Sequence, residues 1–320
     1  MNRGVLYGLA AYVWWGAVPL YFKAVAHVPP PEVLAHRVVW SFLLLAVWLG
    51  FAGRMTAARR ALADRRTLAT LVGSALLVSM NWLIFIWAVS TARVVEASLG
   101  YFINPLVNVL LGMVFLGERL RRAQWVSLAL AMTGVAVLTA WLGSLPWIAL
   151  VLAFSFGFYG LLRKTADVDG PVGLMVETGL LVPAALAFLL LRAGREQLVF
   201  GNSDPATDLL LVAAGAVTAL PLVWFVAGAR RLPLSTMGFL QYVAPTGQFL
   251  LGVLAFGELF TTAHALGFGT IWTALAIYSW DLARHRGRHH AAVALPLARP
   301  PLNEPARPAP GRPDGKTRGS

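Results

Sequence analysis

The chain contains no cysteine, which excludes disulfide bonds, thiol catalysis and cysteine metal sites. Charged residues are also scarce, at 12% of the chain, where soluble domains have about 25%. The phosphate-binding pattern GxxxxGK[ST] does not occur, so ATP-driven transport by this chain loses support. The HExxH and GxSxG patterns are absent too, which disfavours a membrane protease or lipase. We therefore predict no cofactor and no metal site.

Long apolar segments are what the chain has instead, and hydrophobic residues make up 58% of it. A helix that crosses a membrane needs about 20 apolar residues. Ten segments come close to that length: 4–22, 33–51, 68–90, 97–116, 124–142, 146–162, 172–191, 209–228, 236–256 and 264–281. The sequence thus predicts an all-α membrane protein with ten transmembrane helices, surrounded by the lipid bilayer.

Basic residues are concentrated in alternate loops. Of 26 Lys and Arg, 21 lie in the termini and in the loops on the same side as the termini, and four in the loops of opposite parity. Basic loops stay on the cytoplasmic side of a membrane. We therefore predict a multi-pass membrane protein with both termini cytoplasmic. The net charge of +12 is explained by this orientation, so no nucleic-acid partner is predicted.

Two segments repeat each other 140 residues apart: LGYFINPLVNVLLGMVFLGE at 99–118 and FLQYVAPTGQFLLGVLAFGE at 239–258. Because each half has five spans, the second half enters the membrane from the opposite side. The sequence predicts two inverted five-helix repeats, 4–142 and 146–281, an architecture that supports alternating access. The Pro- and Arg-rich segment 284–320 is predicted to be a disordered basic cytoplasmic tail.

Polar side chains on the repeated helices are the candidate substrate-binding residues. Pro105 and Pro245 lack an amide hydrogen and should interrupt their helices near these side chains. Amides in hydrocarbon need a partner, water or ligand, so they line a cavity or, alternatively, join helices. Asn81 and Trp82, in the middle of the third span, are added to these side chains. The candidate substrate-binding residues are Asn81, Trp82, Tyr101, Asn104, Asn108, Gln241 and Gln248.

Charged groups inside or at the ends of the spans are the candidates for coupling or gating. Glu32 and His36 are four residues apart and can pair, and Arg37 follows them. Glu177 lies more than a turn inside the seventh span. It either carries the coupling proton or forms an ion pair with Arg163 or Lys164 that holds the fold. Glu118 and Glu258 follow the glycines that end the two repeated helices, so they either close the helix ends or gate the pathway.

The chain resembles the RarD-type permeases, which carry EamA domains and belong to the drug/metabolite transporter superfamily. The resemblance covers about 4–281 and rests on AHRVVWS (35–41), NWLIFIWAV (81–89), EASLGYFINPLVNVLLGMVFLGE (96–118), GSLPWIALVLAFSFGFYGLLRK (143–164) and STMGFLQYVAPT (235–246). It implies a ten-helix inner-membrane secondary transporter. It also implies a link to chloramphenicol sensitivity, which describes a phenotype more than a substrate.

The favoured function is a secondary permease for a small amphipathic metabolite or drug, with export or import left open and protons as the candidate coupling ion. The alternatives are a lipid or isoprenoid flippase and, with less support, a membrane-embedded enzyme. Small residues in the fifth and tenth spans allow close helix contact, either within the chain or in a homodimer: Ser127, Ala131, Gly134, Gly267 and Ala274.

Overall fold

The computed structural model describes residues 3–117, 119–166, 168–229, 231–232 and 240–293, and within these ranges every regular element is helical. The helices are α1 (Arg3–Ala24), α2 (Pro30–Phe51), α3 (Met55–Ala63), α4 (Arg65–Ser90), α5 (Val94–Leu116), α6 (Arg122–Leu142), α7 (Trp147–Thr165), α8 (Gly170–Gly194), α9 (Pro205–Ala229), α10 (Val243–Leu250) and α11 (Thr262–Val293). A π-helical turn, Leu251–Ala255, continues α10.

Eight helices in the described ranges are long and apolar enough to cross a membrane: α1, α2 and α4 to α9. They correspond to the first eight predicted spans, which confirms a helical membrane protein. The ninth predicted span is represented by the shorter apolar helix Val243–Ala255, and its first residues, 236–239, lie outside the described residues. The tenth predicted span, 264–281, lies within α11.

Helices extend into two basic segments of the chain. The basic segment 52–67 contains α3, which buries Ala58 and Ala61 on one face. At the start of the predicted tail, α11 continues to Val293, since the chain has no proline between Pro245 and Pro296 to stop it. Residues 294–320 lie outside the described residues. The described residues up to Asp281 form one compact unit, and those from Leu282 onward belong to a second.

Acidic side chains fix the starts of several helices. Asp64 precedes α4 and accepts a hydrogen bond from the Thr67 amide at 2.9 Å, and hydrogen bonding by Thr67 holds the pKa of the Asp64 carboxyl below its usual range. Asp169 precedes α8 and binds Arg54 at 2.6 Å, which ties the start of α3 to the start of α8. These caps set where the membrane helices begin.

Glycines bring the helices of the two predicted repeats close together. A Cβ on Gly100 of α5 would lie 2.6 Å from the Ala149 carbonyl oxygen of α7. A Cβ on Gly215 of α9 would lie 2.6 Å from the Trp40 carbonyl oxygen of α2. No larger side chain fits at either place unless the helices move apart, so these glycines set the separation of the two pairs of helices.

The small residues of α6 and α11 are used within the chain. A Cβ on Gly134 would lie 2.8 Å from Ile271 and 2.9 Å from the Gly267 carbonyl oxygen, and Gly267 in turn packs against Leu138. Ala131 and Ala274 belong to the same buried cluster. This stripe therefore serves intramolecular packing of α6 on α11, the first of the two alternatives that the sequence offered.

Candidate functional site

Arg37 of α2 lies among aromatic side chains from three other helices. Its guanidinium carbon is 4.0 Å from the centre of the Trp82 ring and 5.5 Å from that of Phe22. The phenols of Tyr21 and Tyr101 are close enough to interact with its charge. No described residue accepts a hydrogen bond from Arg37, and its Nε is buried without one. Arg37 is thus a cation stacked on aromatic rings, and it takes part in no ion pair among the described residues.

The aromatic contacts offset much of the cost of this arrangement, but they accept no hydrogen bond from the N–H groups of Arg37. Arg37 lies seven residues after Pro30, roughly 10 Å along α2. An arginine at the centre of a membrane helix costs about 2.5–3.5 kcal/mol on insertion scales. A cation–π contact contributes about 0.5–2 kcal/mol. A polar ligand or water at the free edge of the guanidinium would supply what is missing.

Asn81, next to Trp82, is fully committed to neighbouring helices. Its Nδ2 donates to the Leu152 carbonyl oxygen at 3.0 Å and to Ser155 Oγ at 2.9 Å. Its Oδ1 accepts from the hydroxyl of Tyr101 at 3.1 Å. Asn81 is 1% exposed, so it joins α4, α5 and α7 and presents no free polar atom to a solute.

Asn104 and Asn108 differ in exposure although they share a face of α5. Asn104 is buried and donates to the Ala153 carbonyl oxygen of α7 at 3.1 Å. Asn108 is exposed and donates to Asn104 Oδ1 at 3.1 Å. Its own Oδ1 faces Gly157, where a Cβ would approach it to 3.4 Å. Of the two amides, only that of Asn108 is exposed at the surface of the protein.

Gln248 donates a hydrogen bond to a carbonyl that a proline leaves without its helical donor. Pro19 lies inside α1 and has no amide hydrogen, so the carbonyl of Trp15 four residues earlier lacks its helical donor. Gln248 Nε2 donates to that carbonyl at 3.1 Å. The side chain of Gln248 is buried, and its Oε1 has no hydrogen bond among the described residues. Gln241, the other amide of this segment, is partly exposed.

The two repeated prolines occupy different helical positions. Pro105 lies inside the continuous helix α5. Pro245 is the third residue of α10, which begins at Val243 directly after a turn at residues 241–242. A proline in the first turn removes no helical hydrogen bond. A further pairing was missed at the sequence level: the Val217 carbonyl, freed by Pro221, accepts from Trp14 Nε1 at 3.1 Å.

Glu32 and His36 do not pair with each other. Glu32 Oε1 accepts from the amides of Val199 and Phe200 at 2.8 and 3.0 Å, and its Oε2 lies 3.4 Å from Arg192 Nε. The helical spacing predicted that the Glu32 carboxylate could pair with His36, but it binds the segment before α9 instead. Spacing along one helix could not reveal Arg192, which is 160 residues away in the chain.

His36 has its own surroundings on α2. Its Nδ1 accepts from Trp40 Nε1 at 3.2 Å, and its ring packs on Phe200 with centroids 4.6 Å apart. Its Nε2 is buried without a hydrogen bond among the described residues. His36 thus closes the space between α2 and the segment before α9.

Glu177 lies at the junction of α4, α7 and α8 and is fully buried. Ser74 Oγ donates to its Oε1 at 2.6 Å and the Tyr159 hydroxyl to its Oε2 at 3.3 Å. Arg163 Nη1 lies 3.7 Å from Oε1, which is one of the two pairings the sequence suggested. The Arg163 guanidinium packs against Gly173, where a Cβ would overlap it. Every oxygen of Glu177 is therefore occupied.

Glu258 reaches across the protein to the start of α5. Its Oε1 and Oε2 accept hydrogen bonds from the amides of Val94 and Val95, both at 2.7 Å. Arg93, the residue before α5, provides no side-chain cap. A carboxylate at a helix start is favoured by the helix dipole. Glu258 thus closes a helix end in another part of the chain; its repeat equivalent, Glu118, lies outside the described residues.

Known proteins resemble this chain along nearly its whole length. Residues 2–140 match the EamA-like transporter family. An "Uncharacterized transporter" of Vibrio cholerae is 49% identical over 88% of this chain and 93% of its own length. "Protein RarD" of Salmonella typhi is 49% identical and that of Escherichia coli 47%, each over 88% of this chain and 95% of theirs. A protein of known crystal structure, 22% identical, aligns with 89% of this chain and 99% of its own at a TM-score of 0.55, which shows the same fold.

Proposed function

The chain belongs to the EamA-like transporter family, and from this premise we propose that it is a secondary permease that moves a small amphipathic metabolite or drug across the bacterial inner membrane by alternating access. Its family is one of transporters and the relative from Vibrio cholerae is named a transporter, so the chain is a membrane transport protein rather than an enzyme. We propose ten spans in two inverted repeats, 4–142 and 146–281. The proposal rests on how the helices pair and on which amides are exposed.

The helix contacts support the inverted repeat because they occur in exchanged pairs. If the sixth to tenth spans repeat the first to fifth, α7 corresponds to α1, α9 to α4, and α10 to α5. The contact of α5 with α7 then corresponds to that of α10 with α1, and both are present. The contacts of α4 with α7 and of α9 with α1 correspond in the same way, and both are present. Each repeat thus packs mainly on the other.

Two glycine contacts at equivalent positions are the observation that most directly supports the inverted repeat. Gly16 of α1 would place a Cβ 3.4 Å from the Gly247 Cα of α10. Gly157 of α7 would place a Cβ 2.8 Å from Val107 of α5. Gly157 follows Gly16 by 141 residues and Gly247 follows Val107 by 140, so the two contacts are repeat equivalents. Interlocked halves of this kind can rock about a shared centre.

Exposure distinguishes the two halves of the proposed pathway. Asn108 is exposed, whereas its repeat equivalent Gln248 is buried against Trp15. With both termini cytoplasmic, Asn108 lies in the cytoplasmic half of α5 and Gln248 in the outer half of its span. An open cytoplasmic half and a closed outer half describe an inward-open state, one of the two states that alternating access needs.

Reporter fusions should establish the orientation. We expect fusions at Arg60 and Gly201 to report opposite compartments, with Arg60 cytoplasmic, since the segment around Arg60 carries five arginines and Gly201 follows a segment of opposite parity. Alkaline phosphatase and green fluorescent protein fusions at both positions measure this. The same compartment for both would contradict the ten-span inverted arrangement.

Single-cysteine variants should reveal the state of the pathway, and the natural chain has no cysteine to remove. We expect Asn108→Cys in inverted vesicles to react with a membrane-impermeant thiol reagent, because the side chain is exposed, and Gln248→Cys to react at least about tenfold more slowly, because burial withholds it. Right-side-out vesicles are the control and should leave Asn108→Cys unmodified. Equal reaction of both cysteines from one side at the same time would contradict alternating access.

The energy source is the last part of the proposal. Without a nucleotide-binding motif, accumulation against a gradient draws on an ion gradient or on exchange of solutes, and we propose a proton as the coupling ion. Glu177 and Glu32 are the candidate carriers among the described residues, each paired with an arginine in this state. Either carboxylate would exchange its proton only in a conformation that separates it from that arginine.

A further inference from the structure

We propose that Arg37 binds the carboxylate of the transported solute, and that the solute is therefore a small organic anion with an apolar body. The inference rests on the proposed transport function and specifies its substrate class. It starts from the charges of the interior, where Arg37 stands without the acidic residue that buried cations require.

The acids of the spans in the described residues already have donors. Glu32 binds Arg192 and two backbone amides. Glu177 binds Arg163, Ser74 and Tyr159. Glu96 accepts from the Ile148 amide at 3.2 Å. None of these carboxylates contacts Arg37, so a bound anion would supply the partner that Arg37 lacks among the described residues.

The geometry of the guanidinium leaves an anion-binding edge. Trp82 covers one face of the group at 4.0 Å. Stacking on a face leaves the N–H donors at the edge free, and this edge matches the two oxygens of a carboxylate. Arg37 donates no hydrogen bond to a described residue, and its Nε is buried without an acceptor. The donors are therefore oriented and unused.

The walls of the site indicate the rest of the solute. Tyr101 stands beside Arg37, with Phe85 and Phe156 packed against its ring at centroid distances of 5.7 and 6.2 Å. Phe156 is 39% exposed, so part of this aromatic surface is uncovered. One cation with aromatic walls fits a monoanion that has an apolar or aromatic body. A phosphate, with its greater charge and hydration, would leave this surface unused.

A reactivity ratio tests the site without knowledge of the natural solute. Tyr101→Cys places the only thiol of the full-length chain beside Arg37. Two methanethiosulfonate reagents of similar size are compared, one ending in a sulfonate and one in a trimethylammonium group, each normalised to its rate with 2-mercaptoethanol. We expect the normalised rate of the sulfonate reagent to exceed that of the ammonium reagent by roughly tenfold, because the cation concentrates anions.

Two further variants assign the effect. Arg37→Gln in the Tyr101→Cys background should reduce the ratio to about one. Arg93→Gln is the matched control, since Arg93 also stacks on a tryptophan, Trp87, at 5.4 Å, but at a helix end; it should leave the ratio unchanged. A ratio near one with Arg37 intact, or no reaction with either reagent, overturns the proposal. If Tyr101→Cys does not fold, Tyr21→Cys replaces it.

The source of the anion is tested in nanodiscs. We expect the same ratio in phosphatidylcholine alone and in phosphatidylcholine with phosphatidylglycerol, once each ratio is divided by that of Asn108→Cys in the same nanodiscs, because an anionic surface itself repels the sulfonate reagent. A ratio that falls only with phosphatidylglycerol would mean that a lipid headgroup occupies Arg37 and would overturn binding of a solute. Alternating exposure of Asn108 and Gln248 together with an unbiased ratio would leave the transporter proposal intact while rejecting the anion site.

Discussion

Glu177→Ala should lower the free energy of unfolding by about 3–5 kcal/mol, because it removes one member of a buried ion pair and leaves the other charged. Glu177 is fully buried, and the side chain of Arg163 is 13% exposed, so water cannot replace the lost carboxylate. Ser74 and Tyr159 would also lose their acceptors. Equilibrium unfolding of the purified protein in mixed micelles measures the change.

A double variant separates pairing from packing. Glu177→Leu with Arg163→Met replaces both charges by apolar groups, which is often neutral for a buried pair, so it should recover most of the stability that Glu177→Leu loses. Tyr159→Phe, which deletes only the longer hydrogen bond of 3.3 Å, is the matched mild variant and should cost about 1 kcal/mol. A loss under 1 kcal/mol for Glu177→Ala would show that the pair does not hold α7 to α8.

Gly100→Ala should destabilise the protein by about 1–3 kcal/mol, since overpacking at a close helix contact forces the backbone to move. Its new Cβ would lie 2.6 Å from the Ala149 carbonyl oxygen, and a backbone atom cannot turn aside as a side chain can. Because this contact joins α5 to α7, the variant should also change the exposure of Asn108. Thermal unfolding and the thiol reactivity of Asn108→Cys provide the two measurements.

The same pair of helices provides the control. Gly160 lies on α7 with no heavy atom within 4 Å of an added Cβ, so Gly160→Ala should be neutral or stabilise by up to ~1 kcal/mol through its higher helix propensity. We therefore predict that Gly100→Ala lowers the free energy of unfolding and that Gly160→Ala leaves it unchanged or raises it. Equal effects would mean that the α5–α7 separation is not set by Gly100.

The spans were predictable because their signal is length of apolar sequence, which the membrane itself imposes. Segment 55–63 was missed as a helix because its arginines indicate a cytoplasmic loop, and only two buried alanines mark its inner face. The end of α11 was missed for a related reason. Basic composition indicates exposure to water and does not by itself exclude helix.

The candidate site was predictable in its residue types but not in its pairings. Arg163 could be suggested for Glu177 because a short connection joins α7 to α8, whereas Arg192 reaches Glu32 from a distant helix. A sequence cannot tell an amide that joins helices from one that faces a cavity. Asn81 proved to be the first kind, and Asn108, seven residues from Tyr101, is exposed.

The hydrogen bond from Gln248 to the Trp15 carbonyl satisfies an acceptor of α1 with a donor from α10. A proline leaves a hinge in a helix, and a hinge is soft unless its free carbonyl is held. Here the carbonyl at the hinge of α1 is held by α10, and the corresponding carbonyl of α9 is held by Trp14 of α1. If α10 moved away from α1 during the proposed transport cycle, the Trp15 carbonyl would lose its donor and α1 would become easier to bend at Pro19. Because Trp14 of α1 binds the Val217 carbonyl, such a bend would also act on α9.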